Sequence, residues 1–238
     1  LMMNGILVHD FIDTFKEAGV HTLNVSIDSL QEDKFNQITR RNYFDKFWEN
    51  LELLDANGFQ LKLNVVVIKD FNDDEIIDFI EMTKDRNIQI RFIEFMPFDG
   101  NQWKKDKLVS YAEILSQVND RYSVENVERL TDKPNDTAKN HKITSYKGSF
   151  SVISSVTKPS CSTCNRIRFT ADGKLKNCLF SNSETDLLHN LRTGKSIEPL
   201  IFQNIKLKMA IRGGMDDDDK FQNPELFSQN RSMIMIGG

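Results

Sequence analysis

The fold is decided by residues 61–95, which read LKLNVVVIKDFNDDEIIDFIEMTKDRNIQIRFIEF. Residues 61–68 are β-branched and almost entirely apolar, which is typical of a strand covered on both faces. Asn72 is expected to cap the following helix, and Glu75, three residues later, to complete a capping box. Residues 88–95 then read as the next strand. Strand, helix and strand at this spacing predict a βαβ unit with parallel strands.

The same alternation extends towards the N terminus. Apolar residues recur at helical spacing over residues 8–18 and 43–57, and a glycine follows each segment. Residues 23–27 read as a strand between these helices. Three parallel strands with intervening helices predict a piece of an α/β barrel or of an open α/β sheet.

The pattern changes beyond residue 97. A helix is predicted over residues 111–120, followed by short segments with turn signals that indicate antiparallel strands. Those strands are predicted over residues 148–156, 166–170 and 174–179. Asp172-Gly173 predicts a two-residue hairpin turn between the last two.

Composition excludes several classes of protein. Of 238 residues, 39% are hydrophobic and 28% charged, which argues against disorder. The 31 basic and 35 acidic residues give a net charge of −4, so we expect no nucleic-acid partner. No apolar run approaches the ~20 residues that span a bilayer, so no membrane partner is expected. Three cysteines are too few for a disulfide scaffold, which indicates a cytoplasmic protein.

All three cysteines lie close together in the sequence. Cys161 and Cys164 form a Cys-x-x-Cys pair, and Cys178 follows beyond the predicted hairpin. Three thiolates gathered in this way suit a metal site. Two assignments remain open: a zinc site with His189 as fourth ligand, or an iron–sulfur cluster held by three cysteines with one iron open to another ligand.

Two arginines follow the Cys-x-x-Cys pair. Arg166 and Arg168 stand at strand spacing, so both side chains share one face, and guanidinium groups match phosphate geometry. In a strict two-residue hairpin, however, Cys178 pairs with Ile167 and lies on the opposite face. A bulge or a register shift is therefore needed to gather the thiol and the arginines.

Polar side chains alternate along the three parallel strands, where apolar residues are usual. They indicate one sheet face that lines a wet, charged cavity. The residues are Asn24, Ser26 and Asp28, then Lys62 and Asn64, then Gln89 and Arg91. Met96 ends the third strand, at the edge where barrel enzymes place their chemistry.

Several motifs together resemble one known family. The motifs are Cys161-Ser162-Thr163-Cys164-Asn165-Arg166-Ile167-Arg168, Asp172-Gly173, Cys178-Leu179-Phe180 and the terminal Ile236-Gly237-Gly238. In the same order, they resemble the molybdenum cofactor biosynthesis protein A family, the GTP 3′,8-cyclases of the radical S-adenosylmethionine (SAM) superfamily. Upstream, Asn24-Val25-Ser26-Ile27-Asp28-Ser29 and Ile90-Arg91-Phe92-Ile93-Glu94-Phe95-Met96 resemble the same family.

The resemblance implies an α/β fold in two parts. Residues 1–125 would be the C-terminal half of an incomplete TIM-type radical SAM barrel. Residues 126–238 would be an α+β domain that binds an iron–sulfur cluster and GTP. Family members convert GTP to 3′,8-cyclo-7,8-dihydro-GTP, the first step of molybdenum cofactor (molybdopterin) biosynthesis.

The resemblance also implies roles for individual residues. Three cysteines would hold a [4Fe–4S] cluster whose open iron binds the purine of GTP: Cys161, Cys164 and Cys178. GTP would contact Lys62, Arg91, Arg166, Ile167 and Arg168. SAM would contact Ser26 and Met96. The catalytic tail would be Gly237 and Gly238.

The chain departs from the family in two places. It contains no CxxxCxxC motif for the second [4Fe–4S] cluster, which binds SAM, so we expect that cluster in an N-terminal portion upstream and no activity from this chain alone. Met2 stands where the family has a threonine that contacts the nucleotide. A homodimer is a further expectation. The alternatives are a non-enzymatic zinc module and a different radical SAM enzyme with an auxiliary cluster.

Overall fold

The computed structural model describes residues 1–217, 220, 223, 226 and 230–232. These residues form two compact units that interleave along the chain. The first contains Leu1–Phe95, Lys107–Lys133 and Ala138–Lys158, and the second contains Met96–Asp106, Pro134–Thr137 and the described residues from Pro159 onward. The units do not follow the predicted ranges 1–125 and 126–238, because the strands over residues 127–153 complete the sheet of the first unit.

The first unit is a mixed α/β structure built on a sheet rich in parallel strands. Among the described residues, seven strands form this sheet, in the order β1-β2-β3-β4-β7-β6-β5. They are β1 (Met2–Met3), β2 (Thr22–Ser26), β3 (Gln60–Val67), β4 (Gln89–Glu94), β5 (Val127–Arg129), β6 (Ala138–Ile143) and β7 (Ser149–Ile153). Strands β2, β3 and β4 pair in parallel, as predicted, and β1, which was not predicted, pairs in parallel with β2. Strand β7 also pairs in parallel with β4, whereas the β6–β7 and β5–β6 pairs are antiparallel.

The helices follow the predicted alternation, but three of those in the described residues were not predicted. The helices of the described residues are α1 (Ile12–Glu17), α2 (Glu32–Thr39), α3 (Phe44–Ala56), α4 (Ile76–Glu81), α5 (Tyr111–Tyr122), α6 (Leu187–Arg192) and α7 (Glu198–Lys206). The three that were not predicted are α2, α6 and α7. Helix α2 was missed because only Phe35 of its residues is buried and its sequence carries a weak apolar pattern. In the described part of the chain, no helix has both the length and the apolar character needed to cross a bilayer.

The predicted capping box at Asn72 is wrong. The buried Asn72 side chain accepts a hydrogen bond from the Ile68 N–H at 2.8 Å and donates to the Asp28 and Val66 carbonyls at 2.6 and 2.9 Å. The Glu75 carboxylate is also buried, and it accepts hydrogen bonds from Ser29 Oγ at 2.9 Å. Both side chains therefore bond to loops that follow strands of the sheet instead of capping the helix. Buried polar groups need hydrogen-bond partners, whereas an exposed cap can bond to water.

Strand β4 shows why one face of the sheet is apolar and the other polar. Ile90 and Phe92 are fully buried, and the Phe92 ring packs edge-on against Phe79 with centroids 6.3 Å apart. On the other side of the Phe92 ring, Phe150 of β7 lies with its centroid 6.5 Å away. The alternating residue Arg91 points to the opposite face, since successive side chains of a strand point to opposite sides.

The second unit contains a three-stranded antiparallel sheet. Its strands within the described residues are β8 (Arg168–Phe169), β9 (Lys174–Lys176) and β10 (Thr185–Asp186), in the order β10-β9-β8. Arg168 pairs with Lys176 and Phe169 with Leu175, and the Thr170 N–H donates to the Lys174 carbonyl at 2.9 Å. The hairpin loop therefore has three residues rather than the predicted two, with Gly173 at a φ of 80° as its last member. A left-handed glycine in that place is typical of three-residue hairpins.

Candidate functional site

The three cysteines lie in the second unit and their thiols are free. Cys161 and Cys164 lie in the same tight turn, where the Cys164 N–H donates to the Cys161 carbonyl at 3.1 Å. Cys178 follows β9 by two residues. Arg168 pairs with Lys176, one residue away from the register of a strict two-residue hairpin, and the charge of the Cys178 sulfur acts on Arg168. The third residue of the hairpin loop thus supplies the one-residue shift that the sequence requires.

An ammonium and a backbone N–H contact two of the three thiols. The Lys208 ammonium lies 3.4 Å from Cys164 Sγ, and the Arg212 backbone N–H donates to Cys161 Sγ at 3.4 Å. Burial opposes ionisation of Cys164, but the Arg166 N–H and the Lys208 ammonium outweigh burial, so the pKa of Cys164 is lowered. Burial raises the pKa of Cys178, and the nearby thiols of Cys161 and Cys164 raise it further. The second effect is the one expected of sulfur atoms that lie near one another.

The two arginines lie beside these thiols. Burial lowers the pKa of Arg168, the Arg166 guanidinium lowers it further, and the thiols of Cys178 and Cys164 oppose both effects. The Lys208 ammonium also donates to the Arg166 carbonyl at 2.8 Å, so one lysine contacts both the Cys164 thiol and the arginine segment. The Arg166 guanidinium donates to the Asn135 carbonyl at 3.3 Å. This arrangement concentrates positive charge next to sulfur ligands, as a site for an anion beside a metal requires.

The predicted zinc site is not formed among the described residues. Among the described residues, no three His, Cys, Asp or Glu side chains are arranged closely enough to hold one metal ion. His189, the fourth ligand of the zinc alternative, is exposed on α6, where its backbone N–H bonds the Asp186 carboxylate. An iron–sulfur cluster takes one thiolate per iron, so its ligands stand further apart than those of one zinc ion. Three thiols with an adjacent backbone N–H and an ammonium are donors of the kind that hold an iron–sulfur cluster.

The polar face of the large sheet is the second part of the site that the sequence predicts. Its side chains form two rows across the strands. The first row contains Asn24, Lys62, Gln89 and Ser149, and the second contains Ser26, Asn64, Arg91, Ser151 and Asn140. Arg91 donates to Asn24 Oδ1 at 3.0 Å, so part of this face is paired internally. Asn64 Oδ1 and Ser151 Oγ are buried without a hydrogen-bond partner among the described residues.

The remaining predicted residues lie in several places. Ser26 is exposed at the end of β2 in the first unit, and Met96 is half-buried in the second unit, where its carbonyl accepts a hydrogen bond from Asn101 at 2.6 Å. Gly237 and Gly238 lie outside the described residues. Sequence reasoning missed Lys208, which is 44 residues from Cys164, because no local spacing connects the two.

Comparison with known proteins identifies two families along the chain. The family described as Molybdenum Cofactor Synthesis C matches residues 88–214, and the Radical SAM superfamily matches residues 1–83. The boundary between the two matches falls before β4.

Curated relatives agree with these families. Molybdenum cofactor biosynthesis protein moc-5 of Caenorhabditis elegans is 47% identical over 83% of this chain and 33% of its own length. The mitochondrial GTP 3′,8-cyclase of Arabidopsis thaliana is 41% identical over 99% of this chain and 59% of its own length. The GTP 3′,8-cyclase of Alkaliphilus oremlandii is 38% identical over 99% of this chain and 70% of its own length. The chain thus spans about a third of the length of the first relative, about three fifths of the second and about seven tenths of the third. Since matched families and relatives agree over nearly all of its residues, the chain belongs to the radical SAM family of molybdenum cofactor synthesis proteins.

Proposed function

We propose that this chain forms the GTP-binding and cluster-binding part of a GTP 3′,8-cyclase. The observation that carries the proposal is the set of three free thiols beside Arg166, Arg168 and Lys208 in the second unit. Two relatives are named GTP 3′,8-cyclase, which supports the same reaction here.

Cys161, Cys164 and Cys178 would hold a [4Fe–4S] cluster with one open iron, which would bind the purine of GTP. Lys208 would remain beside Cys164, and the Arg212 N–H would remain on Cys161 Sγ. Hydrogen bonds and cations next to thiolate ligands stabilise the negative charge of a cluster. The zinc alternative with His189 has no support from the described geometry.

Arg166 and Arg168 would bind the triphosphate, with the Ile167 backbone between them. Guanidinium groups form charge-assisted, bidentate bonds with phosphate oxygens. Lys62 and Arg91 stay proposed GTP contacts because both are cations that lie on the polar sheet face. The residues of this chain would fix the substrate at two ends, base and phosphates, and thereby limit its motion during the reaction.

SAM would contact Ser26 and Met96, and a second [4Fe–4S] cluster would belong to a CxxxCxxC portion upstream of residue 1. When bound, SAM and that cluster supply the radical chemistry of the family. The strands β1 to β4 follow one another in chain order across the sheet, which is the order of a barrel and supports the incomplete barrel. Gly237 and Gly238 remain proposed members of the catalytic tail. The chain alone would be inactive.

The setting of the protein is also a proposal. Three free thiols suit a reducing compartment such as the cytoplasm, although the plant relative is named as mitochondrial. A homodimer is testable by sedimentation of the reconstituted chain. GTP would be the small-molecule partner, with no nucleic acid or membrane involved.

GTP binding tests the proposal. Replacing Arg166 and Arg168 by alanine removes charge-assisted bonds worth roughly 1.5–3 kcal/mol each, so affinity for GTP should fall at least about tenfold in calorimetry. The double variant of Arg192 and Lys195, both exposed on the same unit, removes equal charge elsewhere and should bind GTP as the unsubstituted chain does. Iron content should stay constant in both variants. Unchanged affinity in the first variant would make these arginines ordinary surface charges.

A further inference from the structure

The segment that carries Cys178 is clamped by side chains from the far end of the chain. Residues 177–184 connect β9 to β10, and Cys178 lies near their start. Asn230, which is buried, donates from Nδ2 to the Leu179 carbonyl at 3.0 Å. Its Oδ1 accepts a hydrogen bond from the Lys176 ammonium at 2.8 Å. One amide therefore bonds groups on both sides of Cys178 in the sequence.

Lys176 completes this clamp. Its side chain is fully buried, and its ammonium donates to the Ser181 carbonyl at 2.5 Å and lies 3.6 Å from the Glu184 carboxylate. The Cys178 carbonyl in turn accepts the Ser181 N–H at 3.3 Å, which closes a turn after the cysteine. A buried ammonium needs such partners, because an unpaired charge in the interior strongly destabilises the fold.

Arg231 ties the same elements together with charge. Its guanidinium makes two bonds to the Glu184 carboxylate, both at 2.6 Å. It also makes two bonds to the Asp172 carboxylate of the hairpin loop, at 2.9 and 2.7 Å. The ammonium of Lys174 also lies 3.7 Å from the Asp172 carboxylate and 3.8 Å from the Glu184 carboxylate, so three cationic groups share two carboxylates in this network. Bidentate pairs of this kind fix geometry as well as adding energy.

We propose that Asn230 and Arg231 are positioning residues for the Cys178 thiol, so that the end of the chain sets the third ligand of the cluster. The inference rests on the proposed function, because it assumes that Cys178 is a cluster ligand. Neither residue touches the thiols; both act through the backbone and side chains that flank Cys178. Cys161 and Cys164 lie in a turn of their own, so their positions should not depend on this clamp.

Thiol reactivity in the metal-free chain tests the inference without a cluster. The rates at which iodoacetamide alkylates each cysteine are measured by peptide mass spectrometry for Asn230→Ala and Arg231→Ala. Loss of hydrogen bonds to charged groups should speed alkylation of Cys178 by roughly tenfold or more. Cys161 and Cys164 should react at unchanged rates. The matched control is Asn50→Ala, since Asn50 is an equally buried amide that donates to the Gly5 and Ile6 carbonyls of the first unit.

The outcomes separate positioning from a general structural role. An equal rise in alkylation rate at all three cysteines would mean that the substitutions destabilise the whole unit. No rise at Cys178 would mean that Asn230 and Arg231 do not position it. Either result overturns the inference. Arg231→Lys and Asn230→Asp, which keep part of the network, should give intermediate rates at Cys178 and serve if the alanine variants fail to fold. Iron bound after reconstitution should fall in the alanine variants relative to Asn50→Ala. If the unsubstituted chain bound no iron, the proposed function would fail while the alkylation result still decided the positioning.

Discussion

Replacement of Glu94 by glutamine is expected to destabilise the first unit strongly. The Glu94 carboxylate is fully buried at the end of β4 and accepts four hydrogen bonds. Oε1 accepts from the Tyr111 N–H at 3.0 Å and from the Thr157 hydroxyl, and Oε2 accepts from the Val156 and Thr157 N–H groups at 2.8 and 2.9 Å. The carboxylate thus joins β4 to the start of α5 and to the segment that precedes Cys161 in the sequence.

The size of this loss follows from the four groups that donate hydrogen bonds to Glu94. In its best orientation, the glutamine oxygen keeps the two N–H groups of Val156 and Thr157, and its amide donates to the Thr157 hydroxyl. The Tyr111 N–H then faces another donor and loses its partner. One lost bond to a charged acceptor, at about 1.5–3 kcal/mol, and two bonds weakened by about 0.5–1 kcal/mol each give a loss of about 2.5–5 kcal/mol.

Urea unfolding followed by circular dichroism measures this loss. The control is Glu113→Gln, because Glu113 lies in the solvent-accessible capping box with Ser110 at the start of α5 and should cost only about 1 kcal/mol. A free energy of unfolding for Glu94→Gln within about 1 kcal/mol of the unsubstituted chain would refute the reasoning, since a buried donor without a partner costs more than that.

Two other changes are predicted from the same structure. Gly173→Ala should destabilise the hairpin by about 2 kcal/mol or more and reduce iron uptake, because the φ of Gly173 is 80° and a Cβ there would overlap Leu188. The control is Gly194→Ala, which should cost about 1 kcal/mol, because Gly194 has a φ of 73° but open space around it. Burial lowers the pKa of His141 to about 4, so its contribution to stability is lost as the pH falls from about 6.5 to about 4. His141→Gln should therefore be less sensitive to acid than the unsubstituted chain in a pH series of urea titrations. Burial raises the pKa of Asp28 to about 6, so the contribution of Asp28 to stability is lost instead as the pH rises from about 4 to about 6.

The parts of the fold that depend on neighbouring residues were predictable. The parallel order of β2, β3 and β4 and the polar face they share follow from periodicities of two and of 3.6 residues within residues 22–94. Parallel pairing of β7 with β4 was not predictable, because a strand of five residues carries no sign of its partner's direction. Asn72 and Glu75 were misassigned for a related reason: a motif at a helix start does not reveal that tertiary structure has buried it.

The candidate site also has a part that the sequence predicts and a part that it does not. The three cysteines and two arginines stand within 18 consecutive residues, so their spacing predicts their association. The hairpin register depends on a single loop residue, Gly173, and the sequence indicated only that some shift was needed. Lys208 and Asn230 lie 44 and 54 residues from the groups they contact, Cys164 and Lys176, so no local pattern could have found them.

The metal content of the chain tests the central claim most directly. After strictly anaerobic reconstitution, iron, sulfide and zinc are measured in the unsubstituted chain and in His189→Ala. A three-cysteine cluster predicts about four irons and four sulfides per chain, with broad absorption near ~400 nm and no change in His189→Ala. One zinc per chain without iron, with zinc lost in His189→Ala, would contradict the account and assign the three thiols to a structural zinc site.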